Sequence, residues 1–146
     1  MKFIPITSEI NDLVGFRKSE NVNQVISSIV QMYDRSGENP AFPWLGFLCV
    51  DGESVLGTCA FKSQPKNNQV EIAYFVFPEN EGKGLGTLFA AFLVAQARLT
   101  KPDISIIAET LPEANASTNI LGKLHFKQVG EYIHPEDGKV WQWLRK

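Results

Sequence analysis

The stretch Glu81-Gly82-Lys83-Gly84-Leu85-Gly86-Thr87 sets three glycines on alternate positions beside a lysine. Glycine leaves the backbone bare, so a ligand can approach it closely. If a helix starts just after the loop, its unbonded N–H groups and positive end suit a phosphate or pyrophosphate. Lys83 adds a mobile positive charge. Two common phosphate loops do not fit. A Walker A loop needs Ser or Thr after its lysine, and here Gly84 follows. The dinucleotide fingerprint is Gly-x-Gly-x-x-Gly, whereas this spacing is Gly-x-Gly-x-Gly. Two carboxylates flank the region: Glu71 before the loop and Glu109 well after it. Either could move a proton.

These residues need elements to hold them. Val70 to Phe77 is rich in β-branched and aromatic residues and is closed by Pro78, which predicts a buried strand. Leu85, Leu88, Phe89, Phe92, Gln96 and Leu99 recur at three and four, which predicts a helix. The glycine loop therefore joins a strand to a helix N-terminus. Lys101-Pro102-Asp103 stops the helix. Ile104 to Ala108 reads as a short buried strand, parallel to the first because a helix intervenes. Asn115, Ala116 or Ser117 starts a short helix ending near Leu124, with Asn115 a natural N-cap.

Upstream, Phe3 to Ile6 is a first strand, at an edge because of Pro5. Thr7 or Ser8 caps a helix carrying Ile10, Leu13 and Val14. Val22, Val25, Ile26, Ile29, Val30 and Tyr33 form one face of a second helix, ended by the segment Ser36 to Pro40. Phe42-Pro43-Trp44 is an aromatic cluster, either packing helices onto the sheet or walling a pocket. Leu45 to Val50 and Val55 to Lys62 form a hairpin across Asp51-Gly52. Ser63 to Gln69 is a polar loop. Lys127 to Ile133 and Lys139 to Leu144 form a last hairpin across Pro135 to Gly138, and Val140-Trp141-Gln142-Trp143 alternates as a strand should. The expected order is strand, two helices, three strands, helix, strand, helix, two strands.

The loop resembles the acyl-CoA loop of the GNAT superfamily of N-acetyltransferases, Gln/Arg-x-x-Gly-x-Gly/Ala after a strand ending Val-x-Pro. Val76-Phe77-Pro78 and Glu81 to Gly86 match it, except that Glu81 stands where Gln or Arg is usual. The block Asn115 to Phe126 resembles the superfamily's last motif, with His125 in place of glycine. A helix end there wants a left-handed residue, which His adopts uncommonly. The element order also matches, over almost the whole chain.

The resemblance implies an α+β GNAT fold: a mixed, mostly antiparallel twisted sheet whose central parallel strands, the fourth and fifth, splay apart between helices. It implies acetyl-CoA as co-substrate, with the pantetheine arm on the main chain of Phe75, Val76 and Phe77. The pyrophosphate would rest on the amides of Gly82, Lys83, Gly84, Leu85, Gly86 and Thr87, and Asn115 would lie beside the arm or the thiol. Glu71 is the expected general base, and Glu109 the second candidate. A carboxylate in so apolar a strand should hold its proton tightly. Glu71 could instead simply pair with Lys62 or Lys127. Many GNAT enzymes place a tyrosine proton donor on the last helix, where this chain has Leu121. Tyr74 and Tyr132 are the alternatives. The implied reaction is direct transfer of the acetyl group to a primary amine of a small molecule or peptide. A catalytically silent acyl-CoA sensor on the same fold is the alternative, motivated by Glu81 and Leu121. Glu38, Glu136 and Asp137 would favour a cationic acceptor. GNAT proteins are often monomers or homodimers.

Composition agrees with such a reading. The chain has 146 residues, 44% hydrophobic and 11% aromatic, with a formal net charge of -2. That suits one domain, residues 1–146, with a real core. The charge argues against nucleic acid as the main partner. No membrane-length apolar run or signal peptide is seen, so a cytoplasmic address is expected. Cys49 and Cys59 lie in apolar strands and read as buried thiols. No metal-ligand spacing links them to His125 or His134, so no metal is expected.

Overall fold

The computed structural model describes residues 1–7, 15–16, 19–37 and 40–146. The expected helix with Ile10, Leu13 and Val14 lies outside the described residues, as does Glu38. The elements are β1 (Lys2–Ile6), α1 (Glu20–Ser36), β2 (Gly46–Asp51), β3 (Ser54–Phe61), β4 (Gln69–Val76), α2 (Leu85–Thr100), β5 (Ser105–Thr110), α3 (Ala116–Lys123), β6 (Lys127–His134) and β7 (Gly138–Arg145). Their order matches the expected one over the described residues. The strands form one sheet in the order β1-β2-β3-β4-β5-β7-β6. Among the described strands, only β4 and β5 pair in parallel. The helix between them forces that direction, because a hairpin cannot return a parallel strand.

Helices cover both faces of the sheet. The Phe92 ring of α2 stacks on Phe3 of β1, centroids 3.9 Å apart, and meets Phe47 of β2 edge-on at 5.0 Å. On the opposite face α1 docks closely, since a Cβ built on Gly46 would meet Ile29 Cγ2 at 2.6 Å. The Tyr33 hydroxyl fixes that docking. It donates to Ile6 O (2.9 Å) and accepts from Gly46 N (2.5 Å), so one side chain ties α1 to two strands. Phe42 is exposed and Trp44 is buried edge-on to Phe61, so the aromatic loop divides between surface and core.

The buried face of α2 differs from expectation. Gly86, Phe89, Ala90, Leu93 and Ala97 face the core, while Leu88 is 45% and Leu99 is 80% exposed. The helix is apolar almost all round, so spacing alone could not choose its buried side. Packing chose the face with small residues, which lets the helix lie close to the sheet. At Gly86 an added Cβ would come within 2.7 Å of Ile120 Cδ1 on α3, so this glycine permits the contact between the two helices.

Strand β4 is also less buried than predicted. Val70 and Ile72 are in the core, but Ala73 is exposed and Phe75 is 48% exposed. Successive strand residues point to opposite faces. The even-numbered side chains meet the core; Glu71, Ala73 and Phe75 lie on a face left largely open. Before β4, Asn67 and Asn68 both take the left-handed conformation (φ 53 and 56). Lys66 and Gln69 exchange main-chain bonds across them at 2.9 and 3.0 Å, so the polar loop ends in a two-residue hairpin turn. Cys49 and Cys59 are free, buried thiols, with their sulfurs 3.7 Å apart. Burial raises the Cys59 thiol's pKa above its usual value, and the neighbouring Cys49 sulfur adds to it.

Candidate active site

The site begins where the sheet comes apart. Pairing between β4 and β5 covers only Gln69↔Ser105, Val70↔Ile106 and Glu71↔Ile107. Past Glu71, β4 runs on to Val76 beside β3, while β5 runs on to Thr110 beside β7. The two central strands therefore diverge and leave a gap, as the resemblance implied.

Hydrogen-bond parity decides which main-chain groups face that gap. Lys62 N donates to Glu71 O (2.9 Å) and Phe77 N donates to Leu56 O (3.0 Å). Odd-numbered residues of β4 thus spend their main chain on β3. Ser105 N donates to Asn68 O (3.0 Å), so even-numbered residues turn theirs toward β5. Of Phe75, Val76 and Phe77, only Val76 offers its main chain to the gap. Its companion there is Tyr74. The period-two alternation turns the main chain of Phe75 and Phe77 toward β3 instead, while Phe75 still lines the groove.

The glycine loop forms one end of a cavity of about 570 Å³, with Tyr74, Val76, Gly82, Gly84, Thr87 and Ser117 among its walls. Gly82 (φ +78) and Gly84 (φ +76) are left-handed, and a Cβ on either would meet nothing within 4 Å. Their role is conformational and open to approach, not packing. Gly84 is the N-cap of α2. The N–H groups of the first helical turn have no acceptor within the helix and carry its positive end. Lys83 is exposed on this loop. Bare amides, a helix N-terminus and a long groove along a strand edge fit a diphosphate with an extended amide-bearing arm.

Asn115 is the N-cap of α3. Its Oδ1 accepts from Thr118 N (3.0 Å), while Thr118 Oγ1 accepts from Asn115 N (2.9 Å), a reciprocal capping box. The cap holds the helix end that forms the far wall of the groove. At the other end of α3, His125 is left-handed (φ 68), as the motif position requires.

A second cavity, of about 330 Å³, opens on the other side of the gap. Glu71, Glu109, Lys62 and Asp137 line it, and it shares Tyr74 and Ser117 with the first. Lys62 Nζ lies 3.1 Å from Glu71 Oε2. The Tyr132 hydroxyl donates to Glu109 Oε1. Burial raises the Glu71 pKa above the ordinary carboxylate range. The Lys62 ammonium opposes that shift and the Glu109 carboxylate adds to it. Glu71 and Glu109 thus come together on one face, where β4 and β5 part. Tyr74 stands at the junction of the cavities. Its hydroxyl lies 3.5 Å from Ser117 O, and burial pushes its pKa up to about 12. Leu121 is fully buried and reaches neither cavity wall.

Lys62 and Ser117 line this site, and sequence reading did not assign either a role in it. Lys62 appeared only as a possible ion-pair partner. Its one signal was its place at the end of the strand before the polar loop that leads to Glu71. Among the described residues, no group of three or more His, Cys, Asp or Glu side chains could hold a metal. No described helix is long and apolar enough to cross a membrane.

The site thus combines a helix mouth with bare amides, a strand edge opened by a splay, and a carboxylate pair beyond it. The chain belongs to the GNAT acetyltransferases, since the family model for the acetyltransferase (GNAT) domain matches residues 7–127. It has the GNAT fold. Among solved structures, it superposes with a TM-score of 0.70 on a putative GnaT-family acetyltransferase from Bordetella pertussis, at 14% identity over 99% of this chain and 94% of that one. A spermidine N-acetyltransferase SpeG chimera from Vibrio cholerae and hSSAT gives 0.70 at 10% identity, over 99% and 95%. The yncA putative acetyltransferase from Salmonella typhimurium, solved with acetyl-CoA, gives 0.64 at 16%, over 86% and 73%. No curated protein matches the sequence.

Proposed function

We propose that this protein is an acetyl-CoA-dependent N-acetyltransferase acting directly on a primary amine of a small molecule or peptide, in a ternary complex. The observation that carries the reading is the meeting of two cavities at the parted strands. One is made of main-chain donors; the other holds a carboxylate pair.

In this reading acetyl-CoA supplies an activated thioester. The amides from Gly82 to Thr87, with Lys83, hold its diphosphate. The Val76 and Tyr74 main chain pairs with the arm as an added strand would. The Tyr74 N–H faces the gap and serves as a one-donor oxyanion site. Asn115 acts by fixing the start of α3 beside the arm. An ammonium with a pKa near 10.4 is almost wholly protonated at pH 7. Glu71 takes a proton from it, and the neighbouring Glu109 charge makes Glu71 a stronger base. In this reading the Tyr74 hydroxyl, at the junction of the two cavities, returns a proton to the departing sulfur. Three carboxylates, Glu71, Glu109 and Asp137, face the single Lys62 ammonium, which favours a cationic acceptor. We take residues 1–146 as one functional domain. The free thiols suit a reducing cytoplasm.

The test is release of free CoA from acetyl-CoA across amino acids, polyamines, aminoglycosides and peptide N-termini. Turnover with one class, lost in Glu71→Gln, supports the reading. The exposed Glu81 carboxylate in the loop and the buried Leu121 favour a second reading, a silent acyl-CoA sensor. Saturable acetyl-CoA binding with no turnover on any amine would select it.

A further inference from the structure

The cavity that would receive the acceptor already contains a primary amine. Lys62 follows the last residue of β3 and sits directly across from Glu71, with a main-chain bond of 2.9 Å and an ion pair of 3.1 Å. Both side chains line the smaller cavity, whose Tyr74–Ser117 wall also bounds the cofactor groove. The Lys62 side chain is 41% exposed and that of Glu71 is 20% exposed, so the amine has room to move while its partner is held. A lysine is a compact ammonium on a flexible four-carbon stem, and becomes a nucleophile once a base removes its proton. The group beside it is the proposed base. From Glu71 to Tyr74, β4 advances about 10 Å along the gap. The flexible four-carbon stem of Lys62 lines the same cavity as Tyr74.

We propose that Lys62 is an internal acceptor, acetylated on Nζ by the protein's own acetyl-CoA when no outside amine occupies the cavity. This rests on the acetyltransferase reading. Glu71 takes one proton from the ammonium, and the freed lone pair forms a bond to the thioester carbonyl carbon. The C–S bond breaks, its electron pair leaves on sulfur, and the second nitrogen proton passes to that sulfur. The products are an amide, free CoA and one proton released to water from Glu71. The amide carries no charge, so the ion pair with Glu71 is lost and the cavity keeps its three carboxylates without their cation.

The experiment incubates the full chain with acetyl-CoA alone and locates acetyl groups by peptide mass spectrometry. Lys127 and Lys139, both outside the cavity, serve as internal references. Lys62 is expected to be modified about a hundredfold faster than either, the contribution of a positioned base. Glu71→Gln should bring it down to their rate. Lys62→Arg should leave no acetyl group at position 62. The rise in melting temperature with acetyl-CoA, measured on the same samples, should persist in both variants. If acetyl-CoA raises the melting temperature and an added amine turns over, yet Lys62 reacts no faster than Lys127, the inference is wrong and the acetyltransferase reading stands. If acetyl-CoA gives no melting shift at all, both are overturned.

Discussion

The two cavities meet at one break in the sheet, yet they are built from different material. The groove proposed for the cofactor is main chain: amides at a helix mouth, a strand edge, and glycines at φ +78 and +76 that keep the loop open. The cavity proposed for the acceptor is side chain: Glu71 of β4, Glu109 of β5, Lys62 just after β3 and Asp137 of the last turn line it, and Tyr132 of β6 bonds Glu109. A site of backbone depends on conformation and tolerates change in most side chains, including Glu81. A site of side chains depends on which residues the topology gathers, and one substitution changes its chemistry. Cofactor holding and acceptor chemistry should therefore respond to different mutations.

The sharpest way to break that division is Glu71→Gln. Loss of a positioned base should lower kcat by about 10²–10⁴, with the acetyl-CoA melting shift unchanged. A parallel loss of cofactor binding would mean that the two regions are not separable. Gly84→Val is the converse. A β-branched residue at φ +76 costs about 1–3 kcal/mol of strain, so acetyl-CoA affinity should fall about tenfold or more with kcat at saturation kept, as seen by calorimetry and initial rates.

The pH dependence sharpens the contrast on the acceptor side. Burial, then the Glu109 charge, raise the Glu71 pKa against the pull of Lys62. The native state thus keeps this proton to higher pH than the unfolded chain does. Stability from this group is present below the ordinary carboxylate range and is lost as pH rises through the raised value. The rate should rise over the same interval, as the base ionises. Removing the like charge with Glu109→Gln should move the acid limb of kcat/KM to lower pH. An unmoved limb would separate the two carboxylates. On the cofactor side, Asn115→Ala removes the α3 cap and should cost about 1 kcal/mol of stability, read as a lower melting temperature. The smallest effect is expected for Glu81→Gln. Taking an exposed carboxylate from beside the diphosphate should tighten acetyl-CoA binding by a few-fold, as an exposed charge near a helix N-terminus is worth about 0.3–1 kcal/mol.

The difference in material also explains what could be read in advance. The glycine loop, its flanking strand and helix, the Asn115 cap and the left-handed His125 are local features. Each follows from residues within a few positions of one another. The element order was equally legible, because apolar spacing and turn residues mark it. Less legible were the choices between faces. Helix α2 is apolar all round, so its buried side depended on Ala90 and Ala97 lying close to the sheet. Strand β4 looks buried on both sides, but Phe75 meets Phe77 edge-on and stays 48% exposed.

The sequence by itself determined that a bare helix mouth follows a central strand, and that a later strand runs parallel to it. Chain stiffness and local hydrogen bonding settle those features over a few residues. Only the tertiary structure decided that Tyr74 and Val76, rather than Phe75 and Phe77, face the gap, because that depends on the register with β3. It alone set Tyr132 against Glu109. That pair joins segments with a helix between them, and such a contact is fixed by how the whole sheet is assembled.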